Sequence, residues 1–231
     1  MFRNPRLLLV AMTTLVVGTS LFTAGCGDSG HASLRVVHAS PDAPNVDVVV
    51  DNKTVLTNVA YEQASAYLKV NDGSRHVQVR PTGTTTNVID ATLKLASKGF
   101  YTVLAVGNVS DSSLTALALT DDNTAPASGQ IKLRLVHASP SAGPVDIYVG
   151  APGSGVSGTP TLTNVPFKAA SDYLAVPAGS YEVYITPTGS KTVALDSGSL
   201  TLAAGQIRTA VALDAPGGGA PLTAIVLNDL N

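Results

Sequence analysis

Leu34-Arg-Val-Val-His-Ala-Ser-Pro-Asp-Ala-Pro-Asn-Val-Asp-Val-Val-Val50 returns later in the chain as Leu133-Arg-Leu-Val-His-Ala-Ser-Pro-Ser-Ala-Gly-Pro-Val-Asp-Ile-Tyr-Val149. Each copy is a β-branched apolar run, a Ser-Pro turn and a second apolar run, the pattern of strand, turn and strand. The duplication extends outward from this segment. Leu56-Thr-Asn-Val59 matches Leu162-Thr-Asn-Val165, and Tyr67-Leu-Lys-Val70 matches Tyr173-Leu-Ala-Val176. Pro81-Thr-Gly83 matches Pro187-Thr-Gly189, and Leu114-Thr-Ala-Leu-Ala-Leu-Thr-Asp-Asp-Asn123 matches Leu222-Thr-Ala-Ile-Val-Leu-Asn-Asp-Leu-Asn231. The offset grows from 99 to 106 to 108, so the main insertion in the second copy is the Gly/Pro/Ser-rich stretch 150–161. Units of about ninety and one hundred residues are each long enough to close a core, and they are too long for solenoid repeats. The spacing therefore predicts two beads, at 34–123 and 131–231, joined by a linker at 124–130.

Composition agrees with an all-β chain. Charged residues make up 13% and apolar residues 45%, with Val and Thr abundant and Gly and Pro recurring between runs. In the first copy the predicted strands are 34–39, 46–51, 54–57, 66–70, 76–81, 88–95, 100–106 and 114–120. In His76-Val-Gln-Val-Arg80 the alternation points both valines at the core. Seven or eight short strands per unit predict two tandem antiparallel β-sandwiches, immunoglobulin-like or transthyretin-like in architecture. The chain has no Trp and one Cys, so the core markers of antibody domains are missing.

The doubled Arg-x-Val-His-Ala-Ser-Pro…Val-Asp segment, with its downstream Leu-Thr-Asn-Val and Tyr-Leu-x-Val blocks, resembles a bacterial family known as domain of unknown function 4397. The second copy departs from the first by placing Ser141 for Asp42 and Gly143 for Pro44. The resemblance implies an exported, often cell-surface β-domain and implies no activity.

The N-terminus carries a different signal. Arg3 and Arg6 precede an apolar stretch from Leu7 to Phe22, diluted by Thr and Ser, and then Thr23-Ala-Gly-Cys26. A charged start, a short apolar run and small residues at a cut describe a secretory signal rather than a spanning helix. Leu21 to Cys26 resembles the bacterial lipobox, in which the cysteine takes a diacylglyceryl thioether and becomes the new N-terminus. Cys26 is the sole cysteine, so no intrachain disulfide forms, and its position at the cut points to lipid attachment. Residues 1–25 are expected to be a removed lipoprotein signal peptide, and 26–33 a lipidated flexible tether. The partner so expected is a membrane in the cell envelope. Gly27 after the cysteine resembles outer-membrane sorting if the host is Gram-negative. Cleavage removes Arg3 and Arg6 and no acid, leaving 12 basic against 16 acidic side chains. That balance offers no basic patch for nucleic acid.

Arg35, His38, Ser40 and Asp47, echoed by Arg134, His137, Ser139 and Asp146, are the polar set repeated at fixed spacing. Ser/His/Asp invites a catalytic triad, and an envelope hydrolase using His137 with Ser139 or Asp146 is the enzymatic alternative. Against it, His and Ser are near neighbours entering a turn, and no nucleophile-elbow glycines accompany the serine. The expectation is structural. Both serines bond turn amides, and each Asp forms a partly buried ion pair with Arg35 or His38, or their counterparts, on the neighbouring strand. No catalytic residue, metal or cofactor is assigned, since the His positions lack zinc spacing and Ser141 and Pro144 remove two oxygen donors from the calcium-like Asp42, Asn45 and Asp47 set. Tyr148, Tyr181 and Tyr184 have no aromatic equivalents in the first copy. The function expected is a non-catalytic binding, adhesion or spacer module with a protein or glycan ligand, and 150–161 is the first recognition loop to test. A purely structural envelope protein is the third alternative.

Overall fold

The computed structural model describes residues 30–229, and among them every run expected in the first copy is a strand and no helix occurs. The first half contains β1 (His31–Ala39), β2 (Val46–Val50), β3 (Lys53–Val59), β4 (Leu68–Asn71), β5 (Gly73–Pro81), β6 (Ile89–Leu95), β7 (Phe100–Val106) and β8 (Thr115–Asp121). The second half contains β9 (Gln130–His137), β10 (Val145–Gly150), β11 (Leu162–Val165), β12 (Leu174–Pro177), β13 (Gly179–Pro187), β14 (Leu195–Leu202), β15 (Ile207–Leu213) and β16 (Thr223–Asn228). Each half forms a sandwich of two four-stranded sheets, ordered β4-β1-β7-β8 and β3-β2-β5-β6, then β12-β9-β15-β16 and β11-β10-β13-β14. The valines of β5 lie inside as the alternation requires, with Val77 and Val79 both buried.

The pairing is not wholly antiparallel. β1 runs parallel to β7 and β9 parallel to β15, from Ser33 beside Phe100 to Ala39 beside Val106 in the first case. Each doubled segment therefore supplies the strand that sits between an antiparallel and a parallel neighbour, a role that apolar alternation does not encode.

The two expected sandwiches are present, and they also pack against each other. Leu34 and Val36 of β1 face the first sandwich's own core, with Val48, Val77 and Val103, whereas Val37 and Ala39 face the other way. They meet Val136, Ala138, Val211, Leu213 and Leu227 of the second half, together with Leu104 and Val106. The second sandwich keeps a separate core around Ile131, Leu133, Ile147, Val183 and Ile185. The molecule is thus four sheets deep. β4-β1-β7-β8 lies against β12-β9-β15-β16, both are buried on two faces, and the sandwiches sit side by side rather than in series. Near-continuous burial along β1, β7 and β15 follows from that placement.

The tether is shorter than expected, because β1 begins at His31, where it pairs with Asn71, and Ala32 is buried. Cys26 and the proposed signal peptide lie outside the described residues. No described helix is long and apolar enough to cross a membrane.

Candidate functional site

The doubled motif divides into three devices. His38 is buried at the end of β1. Its Nδ1 accepts the Ser40 amide at 3.4 Å, so Nε2 carries the proton and donates to the Pro44 carbonyl at 3.0 Å. The ring closes the Ser-Pro loop from within. His137 repeats this with the Ser139 amide at 3.4 Å and the Gly143 carbonyl at 3.1 Å. Burial lowers the pKa of both imidazoles, against the raising effect of those carbonyl bonds, and both rings are neutral. The expectation that both serines bond turn amides holds for one of the two: Ser139 Oγ accepts such an amide, from Ala142 at 3.3 Å, whereas Ser40 Oγ donates to the Gly107 carbonyl at 2.6 Å. Ser139 Oγ donates to Asp214, a carboxylate that also accepts from Ser141 Oγ at 2.8 Å. Neither serine hydroxyl addresses its histidine; Nε2, the nitrogen a triad uses as base, holds a proton and donates it to a carbonyl, while Nδ1 accepts a backbone amide. The arrangement is a loop clasp.

The second device corrects the ion-pair expectation. Asp47 pairs with neither Arg35 nor His38. Its carboxylate accepts the Asn58 amide at 2.8 Å, the Thr82 hydroxyl at 3.0 Å and the Gly83 amide at 3.4 Å. Asp146 accepts the Asn164 and Gly189 amides, both at 2.9 Å. Each aspartate ties the Leu-Thr-Asn-Val block to the Pro-Thr-Gly turn, which explains why those motifs are duplicated with it. Asn58 and Asn164 have positive φ, 56° and 52°, beside a register shift in the β2–β3 and β10–β11 ladders. The amide bonds hold both carboxyls below the usual aspartate range, Asn58 first for Asp47 and Asn164 first for Asp146.

The third device is an exchange between sandwiches. Arg35 reaches out of the first half to Asp229, 2.5 Å from its carboxylate, and donates to the Asn228 carbonyl at 2.9 Å. Arg134 reaches back to Asp121 at 2.5 Å and to the Thr120 carbonyl at 3.0 Å. Asp121 also accepts from Tyr67 and Thr102 of its own half, and Asp229 from Tyr173 and Thr209 of its own. Each guanidinium lies over the neighbouring tyrosine ring, Arg35 over Tyr67 at 4.8 Å and Arg134 over Tyr173 at 4.7 Å. The side chains of all four ion-pair partners are at most 4% exposed. The halves are therefore locked by a pseudo-twofold pair of buried bridges. Asp121 and Asp229 escaped notice in the sequence although they occupy equivalent places in the matching copy ends, which was the signal available.

Both clasped loops emerge at the same end of the molecule. There the Tyr61 hydroxyl donates to the Asp214 carbonyl at 2.8 Å, the Gly217 amide to the Pro41 carbonyl at 2.8 Å, and Thr223 to Glu62 at 2.8 Å. The second-copy insertion takes another path. It folds over the outer face of β10 and β13, where Tyr148 and Tyr184 stand directly opposite in register and are 5% and 7% exposed. Lys191 Nζ pins it by donating to the Val156 and Gly158 carbonyls at 2.8 and 2.9 Å and to the Tyr148 hydroxyl at 2.8 Å. Glu182 accepts the Gly153 amide at 2.5 Å. The extra tyrosines are thus explained as the floor beneath the insertion; Tyr181 instead donates to the Pro177 carbonyl at 2.7 Å. Among the described residues no His, Cys, Asp or Glu group is arranged to hold a metal. Asp42, the first of the calcium-like set, accepts the Val109 and Ser110 amides at 2.8 and 2.9 Å.

No curated protein matches the sequence. Among solved structures, a family CBM26 module from Eubacterium rectale Amy13K, crystallised with maltoheptaose, is 9% identical, with 87% of this chain and 98% of that one covered and a TM-score of 0.29. A streptococcal virulence factor that binds α-glucan is 10% identical, covering 74% of this chain and 88% of that one, with a TM-score of 0.24. A leucine-rich repeat protein from Bacteroides thetaiotaomicron is 16% identical over 83% of this chain and 27% of its own, with a TM-score of 0.22. Likeness at this level bears on neither ligand nor site. The family model described as Domain of unknown function (DUF4397) matches residues 32–148 and again 149–231, and the chain belongs to that family.

Proposed function

We propose that the chain is a non-catalytic binding module of the bacterial cell envelope, exported and held on a membrane by lipid on Cys26, the outer membrane if the host is Gram-negative. The observation that carries the non-catalytic part is the use made of the repeated polar set. Each histidine, serine and aspartate of the motif is engaged in closing or joining loops, and both arginines lock the sandwiches together. What that expenditure supports is a rigid platform whose loops stand in fixed positions, and loops on a rigid scaffold are where such folds carry recognition. The ligand in this reading is an envelope protein or glycan, and residues 150–161, absent from the first copy, supply its specificity.

The test is capture from detergent-solubilised envelope extract by the mature chain carrying Cys26→Ser. Capture is expected to survive His137→Ala and to be lost on deletion of 151–160. Turnover of an envelope substrate that His137→Ala abolishes would replace this reading with the hydrolase. Mass spectrometry of the protein from cells tests the anchor separately, and an unmodified Cys26 thiol would remove it.

A further inference from the structure

We propose that the end of the first sandwich from which the tether leaves is a docking face for an anionic phospholipid bilayer; this rests on the reading of Cys26 as the anchor. The end is defined by backbone bonds around the start of β1. The Asp72 amide donates to the Gly30 carbonyl at 3.0 Å, Lys98 to His31 at 2.6 Å, and Ser33 to Gly99 at 2.8 Å. The β2–β3, β4–β5 and β6–β7 turns therefore share this end with the chain entry. Four exposed lysines stand around it: Lys53 at the start of β3, Lys69 on β4, Lys94 near the end of β6, and Lys98 in the β6–β7 turn. Among the described residues none of them is in an ion pair, whereas the nearby acids Asp51 and Asp122 are neutralised by Arg75 at 2.8 Å and Lys132 at 2.6 Å. Asp72 is the one unpaired acid of the first sandwich at this end, among the described residues.

The opposite end of the same sandwich has the reverse sign. Asp42, Asp47, Glu62 and Asp111 gather around its loops, with Arg80 as the local cation. A body charged this way turns its lysines toward an anionic surface and its loops away from it. The tether confines this end to the neighbourhood of the bilayer. Four residue steps separate Cys26 from Gly30 and span at most about 14 Å. The screening length at physiological salt is about 8 Å, so the attraction acts once the tether lets the lysines approach the leaflet that closely. The face and the leaflet are complementary in charge and confined together.

The docking term is read without the lipid, on the mature chain carrying Cys26→Ser, by co-sedimentation with phosphatidylglycerol or phosphatidylcholine vesicles at low salt. Each lysine near an anionic surface contributes about a fivefold gain in partitioning. Lys69→Glu/Lys94→Glu/Lys98→Glu is therefore expected to weaken phosphatidylglycerol binding by about a hundredfold or more. Arg80→Glu/Lys168→Glu, at the other end, is expected to change it by less than about fivefold. Equal losses in both variants, or equal binding to the two lipids, overturns the proposal. If vesicle binding behaves as expected while Cys26 from cells is unmodified, docking stands and the anchor falls; the converse result sinks docking alone.

Discussion

Replacing Arg134 by alanine tests the exchange that makes two sandwiches one body. Arg134 lies on β9, yet its loss is expected to damage the first sandwich, because the charge it leaves behind is Asp121 at the end of β8. That carboxylate is fully buried and would retain only the hydroxyls of Tyr67, at 2.7 Å, and Thr102, at 2.7 Å. The Thr120 carbonyl would lose its donor as well. Breaking one partner out of a buried pair costs about 3–5 kcal/mol, far above the value of an exposed bridge. For a chain of this size that lowers the melting temperature by roughly 6–20 °C. The assay is denaturant unfolding at constant m-value, repeated for Arg35→Ala, which strands Asp229 and should cost the same by the pseudo-twofold relation. Combining Arg134→Met with Asp121→Asn removes both charges while keeping an acceptor for the two hydroxyls, and should recover half or more of the loss. Hydrogen exchange should show β7 and β8 opening first in Arg134→Ala. A loss below about 1 kcal/mol, or none restored by the double replacement, would refute the buried-bridge reasoning.

Other outcomes follow from the same contacts. The unaltered chain should melt in one transition seen alike by probes in either half, because a shared core and two bridges couple them; two separated transitions would contradict the packing. Asp146→Ala should cost about 1.5–3 kcal/mol through loss of hydrogen bonds to a charged acceptor, measured by denaturant midpoint, since no ion pair is broken. Folded-state pKa values of Asp47 and Asp146 are depressed, and that of Asp122 is pulled to about 2 by Lys132 and Thr124, so their stabilisation is present above about pH 4 and lost as pH falls through the lower folded values. Buried His38 and His137 also have depressed values, so stability should decline as pH falls below about 6.5, where the unfolded chain takes up protons first. A His38→Gln/His137→Gln variant should show a flatter melting profile between neutral pH and the carboxylate range. Lys191→Ala should speed proteolysis within 151–160 while leaving the melting temperature within a few degrees of the parent, since that amine holds the insertion by two of its carbonyls.

Local chemistry was enough to determine the strands and the duplication and to single out the repeated polar set, but not what each of its members bonds. Period-two alternation reports which residues share a face, and the Ser-Pro, Asn and Pro-Thr-Gly signals report where the chain turns, because both depend on neighbours a few positions away. Which faces meet water depends on what arrives from elsewhere, so alternation does not report that β1 is covered on both sides by two different cores. The partner of Arg35 was beyond local reading for the same reason. Asp47 stands twelve residues away and looks adequate, while the true partner Asp229 lies 194 positions along the chain. Since both halves carry the same Arg and the same terminal Asp, sequence alone does not distinguish pairing within a copy from pairing between copies. Packing chose the latter, because Arg35 leaves β1 on the side of Val37 and Ala39, where the other sandwich lies. The loop end and the lysine end became visible only once strand direction placed turns remote in sequence beside one another.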